Sequence, residues 1–144
     1  RSNLRELVAQ AASLHAEGRV ELTVRLPEAE VQAFVDADQI TQVLHNLLQN
    51  ASDAVAEAHP AGGGAVQIGL EERAGTAYIR VEDNGPGIPS GQDEAIFEPY
   101  YTRKEGGTGL GLAITQRIVT EHGGRIDMES RAGKTVFVVV LPQG

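Results

Sequence analysis

Between Asp36 and Ala58, the apolar residues Ile40, Val43, Leu44, Leu47, Leu48, Ala51 and Val55 recur at helical spacing. A helix this long with so wide an apolar stripe has to be laid on a broad apolar surface, because neither intrinsic propensity nor a neighbouring short helix would hold it. The rest of the pattern supplies that surface. Val20, Leu22, Val24 and Leu26 alternate with Glu21, Thr23 and Arg25, the period of a half-buried strand, until Pro27 stops it. Residues 31–35 offer a short second strand. After the long helix, Pro60 and Gly62-Gly63-Gly64 make a turn. Strands are expected near 65–73 and 76–83 with Gly75 at the hairpin, and near 125–130 and 135–141.

Two further helices complete the set. Asn3 is placed to cap one carrying Leu4, Leu7, Val8, Ala11 and Leu14, ended by Gly18. The other resumes at Gly109, is expected to bury Leu112, Ile114 and Ile118, and is closed by Gly123-Gly124. Strand pairs alternating with single helices predict an α/β two-layer sandwich: a mixed, mostly antiparallel sheet covered on one face by about three helices. With 144 residues, 41% of them hydrophobic, and no internal repeat or linker, the chain reads as one domain.

Composition narrows the chemistry. There is no cysteine, so disulfides and thiolate metal sites are excluded, in keeping with a reducing compartment. No apolar run is long enough to cross a bilayer as a helix. A net charge of −8 repels nucleic acid and anionic membranes on average, while leaving room for a phosphorylated small molecule held by a few local donors.

Three segments depart from ordinary patterning. On the long helix, Asn46, Asn50 and Asp53 sit at i, i+4 and i+7 and share one side. Asn and Asp are poor interior helix residues, so the stripe is either a solvated face or a wall of hard oxygen ligands beside a Mg²⁺–phosphate group. Asp83, at a strand end, leads into Asn84-Gly85-Pro86-Gly87-Ile88. That is good turn chemistry, and it also places a carboxylate where it could accept from an adenine amino group. Guanine, with a carbonyl at that position, would be disfavoured about tenfold or more. From 84 to about 108 regular patterning fails, as a functional lid would require. Within this loop Arg103 and Lys104 can face phosphate, and Phe97 with one tyrosine, Tyr100 or Tyr101, can pin the loop to the body, although an exposed Arg-Lys pair is also commonplace. The loop ends in Gly107-Thr108-Gly109-Leu110-Gly111-Leu112, which runs into a helix whose backbone N–H groups could receive an anion. It lacks the Gly-Lys-Ser/Thr ending of a P-loop and the last glycine of a dinucleotide fingerprint.

Taken together these segments resemble the histidine kinase branch of the GHKL ATP-binding superfamily, whose four boxes occur in order over nearly the whole chain. The N box is Asn46 to Ala54, the first glycine box Asp83 to Gly87, the F box Phe97 to Thr102 and the second glycine box Gly107 to Leu112. The resemblance implies that Asp83 binds the adenine amino group, Asn50 coordinates Mg²⁺ and Asn46 lies beside the phosphates, which the backbone from Gly107 to Gly111 holds. It also implies that Thr135 shares a water with Asp83, although Gly133-Lys134-Thr135 departs from the usual wording there. Asp53 and the F box resemble the nitrogen-regulation-type subgroup.

The expected activity is that of an ATP-dependent protein-histidine kinase catalytic domain, residues 1–144. It would pass the γ-phosphoryl group to a histidine on separate dimerisation helices of its parent, with a response regulator downstream. No dimerisation hairpin is expected within the sequence, so the domain alone should be monomeric and unable to autophosphorylate. No nucleic acid or direct membrane contact is expected. The address is cytoplasmic, on a parent that is either free or anchored in the inner membrane. Two alternatives stand beside this. One is a hydrolase like the gyrase and chaperone relatives, whose general-base glutamate is replaced by Asn46, an amide that cannot take a proton. The other is an ATP-binding regulatory domain without catalysis. Each of the four histidines, His15, His45, His59 and His122, is expected to be structural or at the surface.

Overall fold

The computed structural model describes residues 2–15, 20–86, 111–131 and 133–144. Ten elements follow in order: β1 (Ser2–Asn3), α1 (Leu4–His15), β2 (Glu21–Arg25), β3 (Gln32–Ala33), α2 (Ala37–Ala58), β4 (Ala65–Arg73), β5 (Thr76–Asp83), α3 (Gly111–Glu121), β6 (Arg125–Arg131) and β7 (Lys134–Pro142). A five-stranded sheet runs β2-β4-β5-β7-β6, with β2 parallel to β4 and every other pair antiparallel. The three helices pack on this sheet, as the alternation of strand pairs and helices predicts.

The core lies between the layers. From α2 come Ile40, Val43, Leu44, Leu47, Leu48, Ala51 and Val55, all buried. They meet Val66, Ile68 and Leu70 of β4, Ala77, Ile79 and Val81 of β5, and Phe137, Val139 and Leu141 of β7. The period of two puts those strand residues on one face. Burying a side chain of this kind is worth about 1.5–3 kcal/mol, so α2 is the main contributor on the helix side. Asp36 starts α2 as its N-cap, its carboxylate accepting from Gln39 N–H at 3.1 Å. Asn3 does the same for α1, accepting from Arg5 N–H at 3.1 Å.

Three expectations are corrected. The short strand expected at 31–35 is only Gln32–Ala33, and it pairs with Ser2–Asn3 rather than with β2. β2 instead joins the sheet in parallel, because α2 carries the chain across as a crossover. Leu14, on the apolar period of α1, is 70% exposed, and Ala12 takes a buried place there. In α3 the buried residues are Thr115, Ile118 and Val119, with Leu112 and Ile114 only partly covered. A helix pressed into the angle between α2 and β6 presents a narrower and rotated stripe.

Turns fix the geometry where elements meet. Ala74 and Gly75 both take positive φ, 51° and 79°, which makes the β4–β5 connection a two-residue turn matched to the strand twist. α3 ends in a Schellman arrangement: Gly123 N–H reaches Thr120 O at 2.9 Å and Gly124 N–H reaches Val119 O at 3.0 Å. Gly124 then passes so close to β7 that an added Cβ would strike the Val140 carbonyl and crowd Leu141 and Val119.

The histidines are structural ties. His15 Nε2 and His45 Nδ1 share a 3.0 Å hydrogen bond between α1 and α2, and burial together with the His45 ring holds His15 below its ordinary pKa. His59 bonds the Asn84 carbonyl at 2.8 Å. His122 donates from Nδ1 to Ile118 O at 2.8 Å and accepts from Asp36 N–H at Nε2, 3.1 Å. His122 thus ties the end of α3 to the start of α2.

Gly124→Ala should cost roughly 3 kcal/mol or more, since the clash is with backbone and strand and helix must separate to relieve it. Urea unfolding against the unaltered chain measures this, and a loss below about 1 kcal/mol would mean that the turn yields easily.

Candidate functional site

Asp83 is the last residue of β5 and lies on the helix-facing side of the sheet, where it is 3% exposed. Its cross-strand neighbours are Val66 on one side and Thr135 on the other. Among the described residues its hydrogen-bond partner is the Gly85 N–H, at 2.9 Å to Oδ1. Burial pushes the carboxyl up to about 6, against the Gly85 hydrogen bond, which favours the charged form, with Glu82 next to it adding to the rise. A carboxylate so placed is charged at neutral pH and, among the described residues, has a single donor.

The strand end is clamped. Asn84 Oδ1 accepts from Ala65 N–H at 2.8 Å, its amide reaches Gly63 O at 3.2 Å, and its own N–H reaches Ala65 O at 3.2 Å. The chain then turns hard against α2. A Cβ at Gly85 would lie 2.9 Å from Ala54 Cβ and 2.9 Å from Asp83 Oδ1. Glycine is therefore demanded here by close approach to the helix and to the Asp83 carboxylate.

On α2, Asn46 and Asn50 are half-buried, one turn apart, with Asp53 beyond them. The Asn46 amide nitrogen lies 3.2 Å from Thr115 Oγ1 and 3.4 Å from Gly111 O, both on the first turn of α3. Among the described residues the Asn50 amide has no hydrogen-bond partner, whereas Asp53 accepts from Gln49 at 2.9 Å. Thr135 is 5% exposed, and its hydroxyl stands 3.4 Å from Ser130 Oγ. The structure thus gathers Asp83, Gly85, Thr135 and α2 at one end of the space between helices and sheet, with Gly111 and Leu112 at the start of α3. A shallow depression of about 240 Å³, lined by Glu21, Thr23, Gln67, Glu82 and Lys134 among others, includes no residue of α2 or α3. The alternation of β4 and β5 puts Gln67 and Glu82 on the sheet's other face, while Asp83 and Asn84, at the strand end, also line this depression.

Residues 35–144 match the sequence pattern of the histidine kinase-, DNA gyrase B- and HSP90-like ATPases. The chain belongs to that family. It is 43% identical over 125 residues to the C4-dicarboxylate transport sensor protein DctB of Rhizobium meliloti, covering 86% of this chain and 20% of DctB. To the sensory histidine kinase/phosphatase NtrB of Rhodobacter capsulatus it is 41% identical over 123 residues, 74% of this chain and 32% of NtrB. The nucleotide-free catalytic domain of the histidine kinase ThkA superposes with a TM-score of 0.86 at 34% identity, covering 98% of this chain and 95% of that one. ThkA has also been solved in complex with the response regulator protein TrrA, and there the chain superposes with a TM-score of 0.82 at 30% identity, covering 99% of this chain and 41% of that one. The chain thus spans a fifth to a third of these two sensor proteins and nearly all of a catalytic domain.

Membership of this ATPase family makes nucleotide the ligand class of the domain. Of the residues singled out in the sequence, Asn46, Asn50, Asp53, Asp83, Gly85, Gly111, Leu112 and Thr135 are described. Gly87, Ile88, Tyr101, Arg103, Lys104, Gly107, Thr108, Gly109 and Leu110 lie outside the described residues. Three participants escaped sequence reasoning. Ala54 forms the floor under Gly85, Asn84 clamps the strand end and Thr115 holds Asn46. Only Thr115 left a legible signal, as a hydroxyl on the same stripe as Ile118 and Val119. Among the described residues no helix is long and apolar enough to cross a membrane.

Asp83→Asn separates the cost of this carboxylate from its use. A carboxyl raised from 3.8 to about 6 gives the fold stability that is complete below pH 3.8 and is lost as pH rises through 6. Relative to Asp83→Asn, the unliganded chain should therefore lose roughly 2.5 kcal/mol between pH 4 and pH 7.5. Denaturant unfolding of both proteins across that range tests it, and a difference independent of pH would contradict the buried charge.

Proposed function

We propose that this domain binds Mg²⁺-ATP and donates its γ-phosphoryl group to a histidine on separate dimerisation helices in a two-component signalling protein. The observation that carries this reading is Asp83, a nearly inaccessible carboxylate on the helix-facing side of the sheet, with a single hydrogen-bond donor among the described residues. An adenine amino group would supply the missing donor and offset the cost of the buried charge. Thr135, its cross-strand neighbour, is suited to share a water with that pair.

The amide oxygens of Asn46 and Asn50 are the hard, neutral ligands that Mg²⁺ accepts alongside phosphate oxygens and waters, and the Asn50 amide has no partner among the described residues, so the residues fit the ion. Asn50 would hold it, with Asn46 beside it and Asp53 at the end of the stripe. When bound, Mg²⁺ offsets charge on the transferring phosphoryl group. Backbone groups from Gly107 to Gly111 would receive the phosphates at the start of α3, with Leu112 behind them. Gly87, Ile88, Tyr101, Arg103 and Lys104 would line or close the site as parts of a lid spanning about 84–108. Residues 1–144 would form a single catalytic domain, monomeric by itself, serving a response regulator through its parent.

Hydrolysis as the main activity is disfavoured by the same helix. Asn46 stands where a water-activating glutamate would be needed, and its amide is committed to α3.

Joined to its parent's histidine-bearing helices and given labelled Mg²⁺-ATP, the domain should yield acid-labile, base-stable phosphohistidine, and the isolated domain should yield none. Calorimetry should record Mg²⁺-dependent binding of ATP and at least tenfold weaker binding of GTP. Equal affinities for the two nucleotides would remove Asp83 from adenine recognition, and ATP binding without phosphohistidine would leave a regulatory binder.

A further inference from the structure

Thr115 is fully buried on α3, on the same stripe as the apolar Ile118 and Val119. A valine would fill almost the same volume, so the hydroxyl's contribution lies in its hydrogen bonds. Two are present. The hydroxyl lies 2.8 Å from Gly111 O, to which it must donate, since a carbonyl only accepts. Having spent its single proton there, the same oxygen can only accept from Asn46, 3.2 Å away. Gly111 O, 3.4 Å from the same amide, is likewise an acceptor.

Both groups at that end of the Asn46 side chain therefore demand N–H. Turning the amide over would set its oxygen against a carbonyl oxygen and force the threonine proton off Gly111 O. The orientation is fixed by the network: NH₂ towards α3, carbonyl oxygen away from it. A donor to the phosphates, beside which the resemblance places Asn46, is then unavailable from this side chain. What Asn46 offers along the stripe it shares with Asn50 is an acceptor.

We propose that Thr115 is a positioning residue, which locks the Asn46 amide so that its carbonyl oxygen faces the nucleotide site and serves the metal or a metal-bound water rather than a phosphate oxygen. The proposal rests on the Mg²⁺-ATP reading above. It adds the residue that decides which end of Asn46 is presented, and it assigns the side chain to the metal-dependent part of binding alone.

Thr115→Val and Thr115→Ser test it, with Thr115→Ala in place of valine if that variant does not fold. ATP affinity is measured by calorimetry in excess EDTA and in excess Mg²⁺. Thr115→Val should cut the gain in affinity brought by Mg²⁺ by about fivefold or more, the scale of one lost interaction with a charged group. Its affinity in EDTA should stay within about twofold of the unaltered chain, because that interaction is absent there. Thr115→Ser, which keeps the hydroxyl, should match the unaltered chain in both buffers.

In the ligand-free state, the Asn46 side-chain amide protons should exchange slowly in the unaltered chain and in Thr115→Ser, and fast in Thr115→Val, as followed by nitrogen-proton correlation spectra. An unchanged Mg²⁺ gain in Thr115→Val overturns the proposal. So does an equal loss in both buffers that serine does not restore, which would make Thr115 a packing residue. Absence of ATP binding by the unaltered chain in either buffer would instead defeat the Mg²⁺-ATP reading. The exchange measurement would still decide the amide orientation.

Discussion

Helix α2 is shared between two demands that pull on its sequence in opposite directions. One side sends Val43, Leu44, Leu47 and Leu48 into the core with essentially no exposure, and the other carries Asn46, Asn50 and Asp53 along the candidate site. Because the two sides are one rigid rod, the depth to which the apolar side sinks against β4 and β5 sets where the asparagines stand. The contact of Gly85 with Ala54 shows how fine that setting is, since there is no room for one methyl group between the strand end and the helix. Packing and chemistry are therefore a single adjustment here, and a core substitution under α2 displaces the site as well as weakening the fold.

Asp83 is the counterpart of this arrangement on the sheet. A buried carboxylate with one described donor opposes folding at neutral pH, and the hydrophobic contacts around Ile79, Val81 and Phe137 are what hold it in place. The same deficit makes it a selective acceptor. A group that was fully satisfied within the protein would gain little from a ligand, so under the proposed adenine contact the cost of the buried charge and a preference between purines would have a common origin.

Much of this could be read in the sequence. The apolar stripe of α2, the strands from Ala65 and Thr76, the cap at Asp36 and the glycine pair after α3 all follow from periodicity and turn chemistry, and they appear within a residue or two of their expected bounds. The pairing of β3 did not, because a two-residue strand carries no period and its partner, Ser2–Asn3, looks like a helix cap. The exposure of Leu14 was hidden for a related reason: a regular spacing says which side of a helix is apolar, but not where its covering layer stops. In the site, single residues with unusual chemistry for their element, Asn46, Asn50 and Asp83, were visible. Partners defined only by distance, such as Ala54 beneath Gly85, were not. The family comparison adds the ligand class, which no contact within the protein could supply.

The short ladder between Ser2–Asn3 and Gln32–Ala33 has a mechanical consequence. Three residues after that ladder comes Asp36, whose carboxylate starts α2 and whose N–H is held by His122 at the end of α3. A pull or twist applied at residues 2–3 would therefore reach the first turn of α2 and the end of α3 through a few hydrogen bonds, without first having to deform the core. In engineering terms the ladder is a coupling, and it joins residues 2–3 to the elements that carry the candidate site.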